Sequence, residues 1–110
     1  MNWIDVLNRV LRYIEAHLSE EIDVGDIAAE AAFSRYYLQS IFSAMTGMSL
    51  SDYLKQRRLS VAGQEMQSGA KVIDTALKYG YATPESFQKA FKRFHGVSPR
   101  DAAQPNVPLR

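Results

Sequence analysis

The stretch from Gly80 to Pro99 reads GYATPESFQKAFKRFHGVSP, and its order of residues predicts a short helix with two different faces. Thr83 can cap the helix through its hydroxyl, and Pro84 suits the first helical position, where a missing N–H costs nothing. Three phenylalanines then recur at i, i+4 and i+7 and form one apolar stripe, and Gly96 can end the helix in a left-handed conformation. Most residues between the phenylalanines are long and polar. We therefore expect the stripe to hold the helix on a core while its other face stays outside.

A second, similar segment lies earlier in the chain. Asp26-Ile-Ala28 matches Asp74-Thr-Ala76 at a separation of 48 residues. The matches at a separation of 49 are Leu38 with Phe87, Gln39 with Gln88, Phe42 with Phe91, Gly47 with Gly96, and Ser49 with Ser98. Each copy predicts a helix, a short turn and a longer helix, which is the layout of a helix-turn-helix motif.

The turn of each copy has its own requirement. The first helix needs a small residue where it crosses the second, and Ala28 and Ala76 supply it. Four residues later the turn favours glycine, because a left-handed backbone is cheap there. The second copy has Gly80 at this position, whereas the first has Ala32, which we expect to cost about 1 kcal/mol of backbone strain.

Composition and charge limit the possible classes of protein. The chain has 110 residues, 46% of them hydrophobic, which is enough for a modest core, and it contains no cysteine, which excludes disulfides and thiol chemistry. Residues 1–32 carry seven acidic and two basic side chains, whereas residues 33–100 carry ten basic and four acidic ones. This asymmetry suggests a polyanionic partner for the basic part. Without a membrane span or a signal-peptide pattern, we expect a soluble, cytoplasmic domain that does not contact membranes.

Apolar spacing and capping residues predict helices throughout, and no stretch alternates as a strand would, so the predicted fold is all-α. In the helix after Ser34, the residues Leu38, Ile41, Phe42 and Met45 are expected to face the core. The expected organisation is a first helix-turn-helix subdomain over residues 3–48, a linker helix over 49–68, a second helix-turn-helix subdomain over 69–103, and a flexible tail or interdomain linker over 104–110.

The motifs resemble those of the AraC/XylS family of transcription regulators over nearly the whole chain. The matching residues are Phe33-Ser34, Leu38, Phe42, Gly47 and Ser49 in the first copy, Arg58-Leu59 and Ala62 after it, and Ala76, Gly80-Tyr81, Ser86-Phe87, Phe91, Gly96 and Ser98-Pro99 in the second. The resemblance implies seven helices in two helix-turn-helix subdomains joined by a long helix. It further implies promoter binding, most often activation, with RNA polymerase as a second partner. Rob-like members place this domain first, so the Pro-rich end would suit a linker to a C-terminal effector-binding domain outside this chain.

Two helix-turn-helix units on one helix would enter successive major grooves, roughly 34 Å apart, on an asymmetric double-stranded DNA site. The outward positions of the two recognition helices are the base-reading candidates. They are Arg35, Tyr36, Gln39, Ser40 and Ser43 in the first helix, and Glu85, Ser86, Gln88, Lys89 and Lys92 in the second. Gln suits adenine, Lys and Arg suit guanine, and Glu suits cytosine.

A second group of residues suits phosphate contacts, which position a protein without reading sequence. This group comprises Arg57, Lys78, Arg93 and Arg100, together with Ser34 and Thr83, which are better explained as helix caps. Arg58 stays open between the family motif and a buried ion pair with an acidic residue of the first helix.

The sequence also bears on two other classes of function. Catalysis has no support, because His17 and His95 lie in different helices and no nucleophile, phosphate-loop or metal motif occurs; we expect no catalytic residue, metal or cofactor. The stronger alternative is a helical protein–protein interaction module without direct DNA readout. It would explain the acidic first helix but not the Lys and Gln residues on both recognition faces.

Overall fold

The computed structural model describes residues 2–110 and contains seven α-helices in that range. They are α1 (Trp3–Ala16), α2 (Val24–Ala31), α3 (Arg35–Thr46), α4 (Leu50–Gln67), α5 (Val72–Lys78), α6 (Pro84–His95) and α7 (Pro99–Ala102). No strand occurs among residues 2–110, so the predicted all-α class with seven helices is confirmed.

Backbone contacts divide the chain into two compact units, Met1–Lys55 and Gln56–Arg110, which we call unit 1 and unit 2. The division falls inside α4. In unit 1, α2 packs against both α1 and α3. In unit 2, α6 packs against both α5 and α7.

The helices begin where the capping residues predict. Asp23 forms a capping box at the start of α2, in which its side chain accepts from the Asp26 N–H at 3.0 Å and its own N–H donates to the Asp26 carboxylate at 2.9 Å. Ser34 and Thr83 cap α3 and α6 by accepting a backbone N–H, each at 3.1 Å. These bonds satisfy N–H groups that have no partner within a helix.

The turn between α2 and α3 contains the left-handed alanine that the repeat predicts. Ala32 has φ 60°, and it is the only non-glycine residue at positive φ between residues 2 and 110. Gly80, its counterpart between α5 and α6, has φ 88°. An alanine in this region brings its Cβ close to the backbone, whereas glycine has no Cβ.

Replacing Ala32 with glycine should therefore raise the free energy of unfolding by about 0.5–1 kcal/mol, because relief of strain exceeds the added freedom of the unfolded chain. Gly80→Ala should lower it by about 1 kcal/mol. Ala29→Gly, the same chemical change on the exposed side of α2, is the control and should destabilise by about 1 kcal/mol. Urea unfolding followed by circular dichroism measures all three, and equal effects of Ala32→Gly and Ala29→Gly would contradict the strain at Ala32.

The buried residues of α3 differ in one respect from the expected set. Leu38 and Phe42 are buried, but Ile41 is only half-buried and Met45 is 44% exposed. Both line a small apolar cleft together with Trp3 and Leu7 of α1. The expectation that Met45 faces the core is thus wrong, because this flexible side chain lies at the rim of the cleft near the end of α3.

An aromatic cluster lies at the start of unit 1. The ring centroids of Trp3 are 5.5 Å from Phe33 and 5.8 Å from Tyr37, and those of Phe33 and Tyr37 are 5.6 Å apart. The cluster therefore connects α1, the turn and the first part of α3 through ring contacts.

Residues 104–110 make specific contacts within unit 2, although the sequence suggests a tail with little to bury. The Gln67 side chain donates to the Val107 carbonyl at 2.7 Å, and the Arg110 guanidinium lies 5.3 Å from the centre of the Phe94 ring. Leu109 occupies the space beside Gly63, where an added Cβ would lie 2.9 Å from its side chain. Position 63 therefore requires a small residue, because residues 104–110 approach α4 closely at this point.

Candidate nucleic-acid interface

Helix α3 presents a polar face opposite its buried residues. Leu38 and Phe42 fix the helix in unit 1. Tyr36 is 80% exposed, Ser40 and Ser43 are exposed, and Gln39 is half-buried. Four of the five predicted base-reading residues of this helix therefore lie on its accessible surface with no charged group among them.

Arg35, the remaining predicted base-reading residue of α3, is exposed, but its side chain lies against α2. Its guanidinium lies 3.7 Å from the Asp23 carboxylate at the start of α2. The only positive charge predicted to read bases from α3 is thus partly neutralised within unit 1.

Helix α6 likewise buries one side and exposes the other, but its exposed side carries charged residues. Phe87 and Phe91 are fully buried, with ring centroids 5.5 Å apart. The predicted base-reading residues on the opposite side are all exposed, namely Glu85, Ser86, Gln88, Lys89 and Lys92. Ser86 also donates its hydroxyl to the Thr83 carbonyl at 2.9 Å, which directs this side chain toward the helix start.

The residues predicted to contact phosphates fall into four groups. Arg93 and Arg100 are exposed on α6 and α7, where a long cationic side chain can reach a phosphate. Ser34 and Thr83 use their hydroxyls as helix caps, as expected. Arg57 is half-buried and has an interaction within the protein.

Lys78 forms the fourth group, because it is held within unit 2. Its ammonium lies 2.8 Å from Glu65 of α4, and the same carboxylate oxygen accepts the Tyr79 hydroxyl at 2.7 Å. Although burial opposes the change, these two donors lower the pKa of Glu65, while burial and the carboxylate raise the pKa of Tyr79. Lys78 thus ties α5 to α4, a role that the sequence did not reveal.

Arg58 is half-buried beside Tyr81, the aromatic residue that follows the Gly80 turn. Burial lowers the pKa of Arg58, and the Tyr81 hydroxyl opposes that effect. Burial likewise raises the pKa of Tyr81, and Arg58 opposes it. The charge of the Arg58 guanidinium therefore couples α4 electrostatically to Tyr81 in the turn before α6.

His95 connects α6 to two other parts of unit 2. Its Nε2 lies 2.9 Å from the Leu59 carbonyl, and its Nδ1 accepts the Arg110 N–H at 3.1 Å. Because Nδ1 accepts, the ring is neutral and its proton is on Nε2. Burial lowers the pKa of His95, the Leu59 hydrogen bond opposes the shift, and the positive charge of Arg110 adds to it.

The stability of the protein should consequently fall as the pH decreases through the titration of His95. A pKa below the ordinary 6.5 means that the unfolded state binds the proton more readily. The stabilisation that neutral His95 contributes is fully present above about pH 6.5. It is lost as the pH falls from there to the lower pKa of the folded state. Urea unfolding at about pH 7.5 and about pH 5.5 should show that the stability of His95→Gln is less sensitive to pH than that of wild type. An unchanged difference in His95→Gln would exclude His95 as its source.

Residues 2–110 lack the features of two other kinds of site. No three His, Asp or Glu side chains converge there as a metal site would require. No helix in this range combines the length and apolar character needed to cross a bilayer.

Comparison with known proteins agrees with this arrangement of two helix pairs. Residues 27–104 match the helix-turn-helix domain family HTH_18. The HTH-type transcriptional activator AarP of Providencia stuartii is 36% identical over 95 residues, which are 86% of this chain and 70% of that protein. An AraC-type transcriptional regulator of Chromobacterium violaceum has a similar crystal structure, with a TM-score of 0.87 at 25% identity, covering 94% of this chain and 95% of that one. The DNA-binding domain of AdpA, solved in complex with a target DNA, gives a TM-score of 0.76 at 28% identity over 88% of each chain.

The fold and its two exposed recognition helices define a helix-turn-helix DNA-binding domain of a transcription regulator. Within that class the chain belongs to the AraC/XylS family, as its motifs suggest.

Proposed function

We propose that this domain binds an asymmetric site on double-stranded DNA as a single molecule, with α3 and α6 each reading one major groove. The observation that carries the proposal is that both helices are held by buried aromatic or aliphatic residues and expose their polar sides. This arrangement supports the base-reading assignments on both helices, with the exception that Arg35 must first leave Asp23.

The two helices contribute differently to binding. Helix α6 exposes Lys89, Lys92 and Arg93 against one acidic residue, Glu85, so it supplies most of the attraction to phosphates. Helix α3 exposes uncharged Tyr36, Gln39 and serines, so its contribution is mainly to sequence readout. Because the faces differ in chemistry, the two halves of the DNA site differ in sequence.

The phosphate contacts come from Arg93 and Arg100, with Arg57 as a further candidate after local rearrangement. Lys78 serves the fold through Glu65 and contributes little to DNA affinity. Residues 3–48 and 69–103 act as the two reading subdomains, and residues 49–68 act as the helix that joins them.

The likeness to an activator favours activation of transcription, with RNA polymerase as the protein partner. We place the domain in the cytoplasm, at the nucleoid, and assign it no catalysis. A C-terminal effector-binding domain would continue from residues 104–110, and in that case the contacts of this segment on α4 and α6 would link the two parts.

Selection of bound duplexes from a random pool tests the central proposal. We expect one asymmetric motif with two separated blocks of preferred bases, and binding that weakens steeply as salt increases. A symmetric motif would mean that two copies bind. A failure to shift any duplex in gels at low salt would favour the protein–protein interaction module instead.

A further inference from the structure

The side chain of Arg35 is seated on the first turn of α2. Its Nη2 lies 3.7 Å from Asp23 Oδ2. A Cβ on Gly25 would lie 2.8 Å from the same nitrogen, so the missing side chain of Gly25 leaves the space that the guanidinium occupies. Both charged side chains remain more than half exposed, so a competing anion can reach them.

The two carboxylate oxygens of Asp23 have different partners. Oδ1 accepts the Asp26 N–H and caps α2, whereas Oδ2 faces Arg35. The Asp26 hydrogen bond, with a further contribution from Arg35, lowers the pKa of Asp23. Asp23 is therefore a carboxylate near neutral pH, and its negative charge is available to Arg35.

The helix-turn-helix scaffold itself does not require this ion pair. At the separations of the internal repeat, Lys71 and Pro84 occupy the positions of Asp23 and Arg35. Unit 2 forms the same turn with these residues, and Lys71 makes no side-chain cap. A feature present in one copy only is better explained by what that copy binds than by its fold.

We propose that Asp23 is a positioning residue for DNA recognition that acts through Arg35. In the free protein its carboxylate holds the guanidinium over α2, and on binding Arg35 exchanges this carboxylate for acceptors of the DNA. Asp23 thereby limits the affinity that Arg35 contributes. This inference rests on the proposed function, because it assumes that α3 faces the duplex.

Asp23→Asn tests the exchange without removing the cap, because asparagine caps helices as well as aspartate does. Titration of a labelled mixed-sequence duplex at low salt should show roughly two- to fivefold tighter binding, the range set by an exposed ion pair. The slope of log affinity against log salt should stay close to that of wild type, since Arg35 reaches the duplex in both proteins. Asp5→Asn, which makes the same change of net charge on exposed α1, controls for long-range effects.

The decisive measurement is a double-mutant cycle with Arg35→Gln. If Asp23 acts through Arg35, Asp23→Asn should have no effect beyond that of Asp5→Asn once Arg35 is absent. Three results would overturn the inference while the wild-type chain still binds the duplex. They are an equal rise in affinity from Asp23→Asn with and without Arg35, a rise from Asp5→Asn as large as that from Asp23→Asn, and weaker binding by Asp23→Asn than by wild type. If no chain binds duplex, the proposed function itself fails.

Discussion

Phe91→Ala should lower the free energy of unfolding of this domain by about 3–5 kcal/mol. The ring is fully buried, and it contacts Phe87 on one side and His95 at a centroid distance of 4.2 Å on the other. Truncation therefore leaves a cavity and removes the support of the His95 ring. Because domains of this size are stable by roughly 5–15 kcal/mol, the loss is a large part of the total.

The change is measured by urea unfolding followed by circular dichroism at 222 nm. Phe91→Leu keeps much of the volume and should cost clearly less. Phe42→Ala is the matched substitution in the first copy, where the ring is also buried and lies 5.6 Å from Tyr53. A loss below about 1 kcal/mol in Phe91→Ala would show that this ring does not anchor the recognition helix.

Gln39→Ala and Lys89→Ala should each weaken binding to the selected DNA by about 1–3 kcal/mol and relax discrimination at one base position. Gln39 is the half-buried polar residue of the α3 face, so its orientation is restricted by neighbouring residues. Lys89 is exposed at the centre of the α6 face. The two losses should affect different blocks of the DNA motif, because the residues belong to different units.

Binding of each variant to a panel of duplexes with single base changes separates base contacts from phosphate contacts. Arg100→Ala, a predicted phosphate contact, is the reference and should weaken all duplexes alike while reducing the salt slope by about one. If Gln39→Ala or Lys89→Ala follows the pattern of Arg100→Ala, the residue concerned contacts the backbone.

The features of this fold that depend only on residues close together in the chain could be predicted from the sequence. The caps at Asp23, Ser34 and Thr83 act within three residues, and the left-handed position of Ala32 follows from its match with Gly80. The alternation of buried and exposed positions along α6 follows directly from the spacing of its phenylalanines.

The interactions that the sequence does not predict join residues far apart in the chain. Lys78 and Glu65 are 13 residues apart, and the two partners of His95 are 36 and 15 residues away from it. Nothing local to these residues indicates which side chain they meet. Similarly, Arg35 appeared free to read DNA because the space above Gly25 is evident only when α2 and α3 are packed.

The aromatic cluster of unit 1 has a practical consequence for experiments on binding. Trp3 is the only tryptophan of the chain, and its ring contacts Tyr37, the neighbour of exposed Tyr36 on α3. Intrinsic fluorescence excited at the indole therefore originates from unit 1 alone. Its emission should respond when α3 engages a duplex and stay constant when only α6 is bound, which provides a label-free signal for the order in which the two helices bind.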